Sequence, residues 1–204
     1  MKLQNEIARD LMDIKAVQIR PNHYFTWTSG IKSPIYCDNR LTMSYPAIRK
    51  KITQAFMEKL TELNIQPDVV AGCATAGIPH AAWLANELEL PMIYVRSKPK
   101  GHGKGNQIEG KIEKGQSVVV IEDLISTGGS SLETATVLRN QGVNVLGVLA
   151  IFTYGLVVSE KNFKKENMLF DTITSFDNLL DVLETDKEIT DKEKKQLLDW
   201  REHL

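Results

Sequence analysis

Val118-Val119-Val120-Ile121-Glu122-Asp123-Leu124-Ile125-Ser126-Thr127-Gly128-Gly129-Ser130-Ser131 is an apolar, β-rich run that ends in two acids and then a turn of hydroxyls and glycines. Four successive apolar residues at 118–121 fit a strand covered on both faces, as in a parallel sheet, and place Glu122 and Asp123 at its carboxyl end. Open α/β sheets bind their ligands at that end. Thr127 to Ser131 bring small residues, hydroxyls and free main-chain N–H groups to the start of the next helix, a seat for a phosphate dianion. The acids cannot serve that phosphate, so they need hydroxyls or a cation. Strand, acid pair and nest together imply a sugar phosphate, with ribose hydroxyls on the acids and phosphate on the amides. The plainer alternative, acids that cap the helix and glycines that make a turn, explains less, because the strand and helix that the motif requires flank it on both sides.

Outward from this stretch, strands and helices alternate. Asp68–Ala71 reads as a strand, followed by the turn Gly72-Cys73-Ala74-Thr75-Ala76-Gly77 and a helix over 77–88, a second anion-binding arrangement. Met92–Val95 and Val143–Ile151 are further strands, and a helix over 130–141 stops at Gly142. Such alternation predicts an α/β fold, a Rossmann-like parallel sheet with right-handed crossovers flanked by helices. Before the core, Leu3, Ile7, Leu11 and Ile14 share a helix face, and residues 24–40 read as an irregular β-hairpin flap. Ser44 and Pro46 then open a helix carrying Ile48, Ile52, Phe56 and Leu60. After Tyr154 come a helix near 155–167, an edge strand near 169–174 and a helix burying Phe176, Leu179, Leu180 and Leu183. The capping box Thr190…Glu193 opens a last helix with Leu197, Trp200 and Leu204 aligned. The chain thus reads as a single domain, 1–204, with a small N-terminal hood (about 1–45) plus C-terminal helices around a core of about 46–155.

Bulk properties narrow the function classes. With 25 Lys+Arg against 26 Asp+Glu and a net charge of -1, the chain has no basic field to recruit nucleic acid or an anionic membrane. Cys37 and Cys73, the only cysteines, exclude a disulfide scaffold and fit a reducing compartment as buried small residues. There is no apolar run of roughly 18 residues and no signal-like start, so a cytoplasmic protein is expected. One stretch stands outside the packing pattern. Arg96-Ser97-Lys98-Pro99-Lys100-Gly101-His102-Gly103-Lys104-Gly105-Asn106-Gln107-Ile108-Glu109-Gly110 gathers cations among glycines at the end of a strand. Such a loop can close over a polyanion, with Lys98, Lys100, His102 and Lys104 neutralising developing charge.

With these residues in view the chain resembles the bacterial orotate phosphoribosyltransferases over nearly its whole length. Glu122 to Ser130 matches the 5-phosphoribosyl 1-diphosphate motif of type I phosphoribosyltransferases, Phe25–Asp38 resembles the orotate enzymes' hood, and Arg96…Lys100-Gly101-His102-Gly103…Glu109-Gly110 resembles their catalytic loop. The resemblance implies transfer of the phosphoribosyl group from the diphosphate to orotate with Mg²⁺, yielding orotidine 5′-monophosphate and pyrophosphate. It assigns catalysis to Lys100, His102, Asp123 and Arg96. The phosphoribosyl diphosphate falls to those residues with Glu122, Leu124, Ile125, Ser126, Thr127, Gly128, Gly129 and Ser130, and Thr75, Ala76 and Gly77 lie beneath the pyrophosphate. Orotate falls to Ser126, Ser29, Gly30 and Lys32, with Lys32 or Arg40 facing its carboxylate. Mg²⁺ rides mainly on the substrate, with Glu122 and Asp123 nearby rather than as direct ligands. A homodimer that shares the catalytic loop between subunits is implied too. The sequence departs from many relatives at Thr28, Ala76 and Ser97, where they carry lysine, and Phe152–Gly155 offers no arginine. His80 matches no catalytic position and is expected to pack. Two other readings remain: a phosphoribosyltransferase for another base, which would lack this hood, and a regulator that binds the diphosphate without turnover, which would carry a DNA-binding module and a degraded loop.

Overall fold

A computed structural model of the chain describes residues 3–26, 30, 32–98 and 107–203. The hood begins with α1 (Leu3–Asp13), then β1 (Val17–Ile19), β2 (Phe25–Thr26), β3 (Lys32–Ser33), β4 (Ile35–Cys37) and a 3-10 helix, Asn39–Ser44. β1 pairs antiparallel with β4, and β2 with β3, so the expected flap is two short ribbons rather than one hairpin. The core follows as α2 (Pro46–Glu62), β5 (Val69–Cys73), α3 (Gly77–Glu87), β6 (Met92–Val95), β7 (Ile108–Glu109), β8 (Ser117–Ile125), α4 (Gly129–Arg139), β9 (Asn144–Thr153), α5 (Val157–Lys165) and β10 (Phe170–Ser175). α6 (Phe176–Thr185) and α7 (Asp191–Glu202) close the chain. Pro46 stands in the first turn of α2 as expected, but Tyr45 rather than Ser44 is the cap, because Ser44 is used by the 3-10 helix.

The main sheet has the order β10-β9-β8-β5-β6-β7, parallel except for β7. Its alternating side chains enter two separate cores, which is why these strands read as unbroken apolar runs. On one face Val70, Val119, Ile121, Leu149 and Ile151 pack under α1, α2, α3 and α6. On the other Val69, Ala71, Val118, Val120, Val148 and Ala150 pack under α4 and α5 with Leu138 and Phe163. Burial of this kind is worth about 1.5–3 kcal/mol per large side chain, which holds the central strands as a rigid platform. Phe176, Leu179, Leu180 and Leu183 are buried as expected, and Thr190 and Glu193 form the capping box of α7. Among the described residues, no helix is long and apolar enough to cross a membrane.

Two strands are longer than the apolar pattern predicts. β5 continues through Gly72 and Cys73, and β8 runs from Ser117 to Ile125, so Glu122 and Asp123 lie within the strand and not beyond it. Pairing with β9, which extends to Thr153, carries β8 past its apolar segment. β1 and β7 are too short to leave a periodic signal and were not anticipated.

Candidate active site

β8 delivers the acids to the carboxyl edge of the sheet, where its ladder with β5 has already ended at Ile121. Glu122 is buried and Asp123 half-buried, and the Glu122 Oε1 accepts a hydrogen bond from the Asp123 N–H at 2.9 Å. Burial, then the neighbouring Asp123, pushes the Glu122 carboxyl well above the usual range, and burial raises Asp123 as well. Two adjacent carboxyl groups in this dry corner therefore hold a proton that exposed ones would release. Cys73 lies against the pair, with Sγ 3.2 Å from Thr134 Oγ1. Burial and the charge of Glu122 raise its thiol far above the normal value, which removes it as a nucleophile.

The turn after the acids is built for an anion. Gly128 is the N-cap of α4 at φ 81°, a left-handed conformation, and a Cβ there would come within 2.5 Å of the Phe163 ring. With no side chain at the cap, the first N–H groups of α4 are left for a ligand. α3 offers a second such terminus. Its N-cap, Ala76, makes no side-chain bond, and Gly77 packs so tightly on β8 that an added Cβ would overlap the Ile121 carbonyl oxygen. The two helix starts and the acid pair thus converge at one edge of the sheet. Beside them a cavity of about 50 Å³ is lined by Cys73, Ala74, Arg96, Ser97, Ser130 and Thr134. A larger hollow of about 620 Å³ beside Met57 and Trp83 lies among α2 and α3 and includes neither acid.

The structure gives the other expected site residues these surroundings. Arg96 has an acidic partner in Glu109, 3.7 Å away, and its N–H donates to Gln107 O at 2.8 Å, so it stitches the two ends of the glycine-rich loop. Arg40 is paired with an acid of the hood: its Nε and Nη2 donate to the Asp38 carboxylate at 2.6 and 2.9 Å. Lys32 is exposed, and its Nζ donates to Thr26 Oγ1 at 2.7 Å. Ile125 is buried in the core under α4 and α5 and can offer a ligand only main-chain atoms, while Leu124, half-buried, packs against the core on the opposite face. Ser126 is half-buried, Thr75 and Thr127 are exposed, and Gly30 adopts φ 85° in open space. His80 is buried beside Trp83 with its pKa pushed down to about 4 by desolvation, a packing residue as expected. Lys100, His102, Lys104, Trp27, Thr28 and Ser29 lie outside the described residues.

The structure adds residues that no motif announces. Asn39, Thr153 and Asn162 donate to the carbonyls of Asp123, Ile125 and Thr127. They come from the 3-10 helix, β9 and α5, and single polar residues at such places carry no periodicity or spacing to mark them.

Among the described residues no three His, Cys, Asp or Glu side chains converge as a metal site. The adjacent carboxylates nevertheless offer hard oxygen donors of the kind that hold Mg²⁺ through one or two groups, with waters and substrate phosphates completing its shell. A phosphoribosyl transferase domain model matches residues 43–181. The orotate phosphoribosyltransferase of Oceanobacillus iheyensis is 57% identical over 202 residues, covering 99% of this chain and 100% of that protein. The crystal structure of orotate phosphoribosyltransferase from Aeropyrum pernix, 28% identical, covers 90% of this chain and 99% of its own with a TM-score of 0.77. Leishmania donovani UMP synthase, also 28% identical, matches 98% of this chain with a TM-score of 0.80, and this chain spans 42% of that longer protein. Motif, sheet and likeness over the full chain agree, and the protein belongs to the phosphoribosyl transferase family and, within it, to the orotate phosphoribosyltransferases.

Proposed function

We propose that the protein transfers the 5-phosphoribosyl group from 5-phosphoribosyl 1-diphosphate to orotate, giving orotidine 5′-monophosphate and pyrophosphate in pyrimidine synthesis. The observation that carries this reading is the meeting, at one sheet edge, of the Glu122–Asp123 pair with the uncapped starts of α3 and α4. In the transfer, the bond from ribose C1 to the diphosphate oxygen breaks as a ring nitrogen of orotate bonds to C1. Positive charge builds on the ribose and negative charge on the leaving group, so acidic and basic sets must lie on opposite sides.

Glu122 and Asp123 take the ribose hydroxyls, and their negative charge favours the ribosyl cation as it forms. Thr127 to Ser130 hold the 5′-phosphate with main-chain N–H groups, and Thr75 to Gly77 receive the pyrophosphate at the start of α3. Mg²⁺, when bound, neutralises charge on the diphosphate. Lys100 and His102 supply cations from the loop that Arg96 and Glu109 hold at its base, and loop closure excludes water. Orotate lies between Ser126 and the hood at Ser29, Gly30 and Lys32. Two copies form a homodimer in which each loop serves the other's site, and the enzyme works in the cytoplasm.

The test is direct. Purified protein mixed with orotate, the diphosphate and Mg²⁺ should lose the orotate absorbance band and release pyrophosphate. Turnover of uracil or hypoxanthine in its place would move the assignment to another base, and no turnover of any base would sink it.

A further inference from the structure

Three alternate carbonyls of the reactive segment are held by side chains from outside it. Asp123 O accepts from Asn39 Nδ2 at 2.7 Å, Ile125 O from Thr153 Oγ1 at 3.0 Å and Thr127 O from Asn162 Nδ2 at 3.0 Å. Beyond Ile121 the β5 ladder no longer braces β8, and these donors begin where it ends. Each bond occupies a carbonyl of the segment that carries the acids and the phosphate turn.

Asn39 is held with particular care. It is 1% exposed, and its main-chain oxygen accepts from Thr42 Oγ1 at 2.6 Å. Thr42 Oγ1 also lies 3.4 Å from His80 Nε2. Because the hydroxyl has spent its proton on Asn39, the imidazole must present Nε2–H, which leaves Nδ1 unprotonated and, among the described residues, without a partner. The chain His80, Thr42, Asn39, Asp123 therefore ties α3, whose start faces the pyrophosphate, to the strand bearing the acids. Among the described residues Asn39 Oδ1, also buried, has no partner, so the amide's contact with the reactive segment is made through its N–H.

We propose that Asn39 and Asn162 are positioning residues of the transfer site. They fix the two ends of segment 123–127 by its carbonyls, so that the acids and the phosphate-binding amides stand in place before a ligand arrives. The proposal rests on the transfer reading above. Asn39 sets the main chain that carries Asp123, whose contacts strengthen as ribosyl charge develops. Asn162 sets the phosphate turn, whose contacts are the same before and during the reaction. Interactions realised only in the transition state appear in kcat, and uniform ones in KM.

Steady-state kinetics on the full-length protein separate these roles. Asn39→Ala should lower kcat about 10- to 100-fold, as expected for a displacement of roughly 1 Å, with little change in KM for the diphosphate. Asn39→Asp, which keeps the shape but removes the donor, should be no better than Asn39→Ala. Asn162→Ala should raise KM for the diphosphate about tenfold while kcat holds within about twofold. A merely structural role would lower Tm in both variants without this split. Wild-type kcat and KM in both variants would overturn the proposal. So would a fully active Asn39→Asp, and if the Asn39 variants do not fold, an unchanged KM in Asn162→Ala overturns it alone. A wild-type protein that does not turn over orotate would instead defeat the transfer reading.

Discussion

Replacing Gly77 by alanine tests whether the start of α3 is locked to the strand that carries the acids. The new Cβ would overlap the Ile121 carbonyl oxygen, with Ile121 C at 3.1 Å and Glu122 Cα at 3.2 Å. All three atoms are main chain of β8, which is clamped between β5 and β9 and cannot yield. Since unstrained carbon contacts lie at about 3.5–4.0 Å, α3 must retreat by up to about 1 Å at its N-terminus. Overpacking of this kind costs about 1–3 kcal/mol. At about 2–4 °C per kcal/mol for a chain of this size, Tm should fall by about 2–12 °C. The α3 amides that receive the pyrophosphate in the proposed mechanism move with the helix, so turnover should drop on the order of 100-fold. The assay pairs circular-dichroism melting with initial rates from orotate absorbance. Gly115→Ala is the control: Gly115 has φ 90° but nothing within 4 Å, and it precedes β8 at the amino end, away from the acids. It should lose stability and keep its rate. A Gly77→Ala protein with wild-type Tm and kcat would refute the close packing of α3 on β8.

Lys100→Ala should cut turnover by at least about 100-fold with an unchanged melting curve, since on the proposed mechanism it removes a cation from the leaving group; near-normal turnover would remove the loop from the mechanism. Glu122 has a folded pKa raised above its unfolded value. The folded state thus binds the extra proton between about pH 4.5 and 8, and that contribution is complete below the window and lost as pH rises through it. Ligand-free protein should therefore melt lower at pH 8.5 than at pH 6, and Glu122→Gln should flatten that slope; equal slopes would contradict the buried, proton-holding acid. Thr190→Ala removes the side-chain oxygen that accepts from Glu193 N–H at 3.3 Å and should cost about 1 kcal/mol of stability with no change in rate, measured by urea unfolding and the same absorbance assay.

The sequence announced the parts of this protein that obey periodicity. Val118–Ile121 read as a two-sided strand because its side chains alternate between two apolar cores, and Phe176, Leu179, Leu180 and Leu183 read as a helix face because they line one. The phosphate turn was legible for a different reason: Gly128 must adopt a left-handed conformation against Phe163, so the glycine itself is the signal. Strand ends were not legible. Glu122 and Asp123 look like the first residues of a loop, yet pairing with β9 keeps them in β8, and no local preference encodes a neighbour's length. Charge partners were hidden for the same reason. Arg40 reads as a free cation, and its ion pair with Asp38, two residues before it, leaves no mark in the sequence. Asn39 and Asn162 were invisible because one amide bond to a carbonyl across the fold depends on tertiary distance alone.

That the acids lie inside the strand bears on how such a site admits its substrate. A diphosphate must approach two carboxyl groups that will later favour a cation, and two full negative charges in a corner of low dielectric would repel it. Burial answers this in the free protein. With Glu122 pushed well above the usual carboxyl range, the pair holds a proton and presents less than its formal charge. Ribose hydroxyls donate to the charged form of a carboxylate and so favour it, and a cation carried by the diphosphate acts in the same direction. On the transfer mechanism proposed above, the full negative charge thus develops with the bound sugar in place, where the ribosyl cation needs it, and not beforehand, where it would oppose binding. An exposed acid pair beyond the strand end could not do this, because water would keep both groups ionised throughout. The extra pairing with β9 that the sequence did not reveal therefore belongs to that proposed mechanism: it carries the acids into the edge of the sheet, where Asn39 Nδ2 donates to the Asp123 carbonyl.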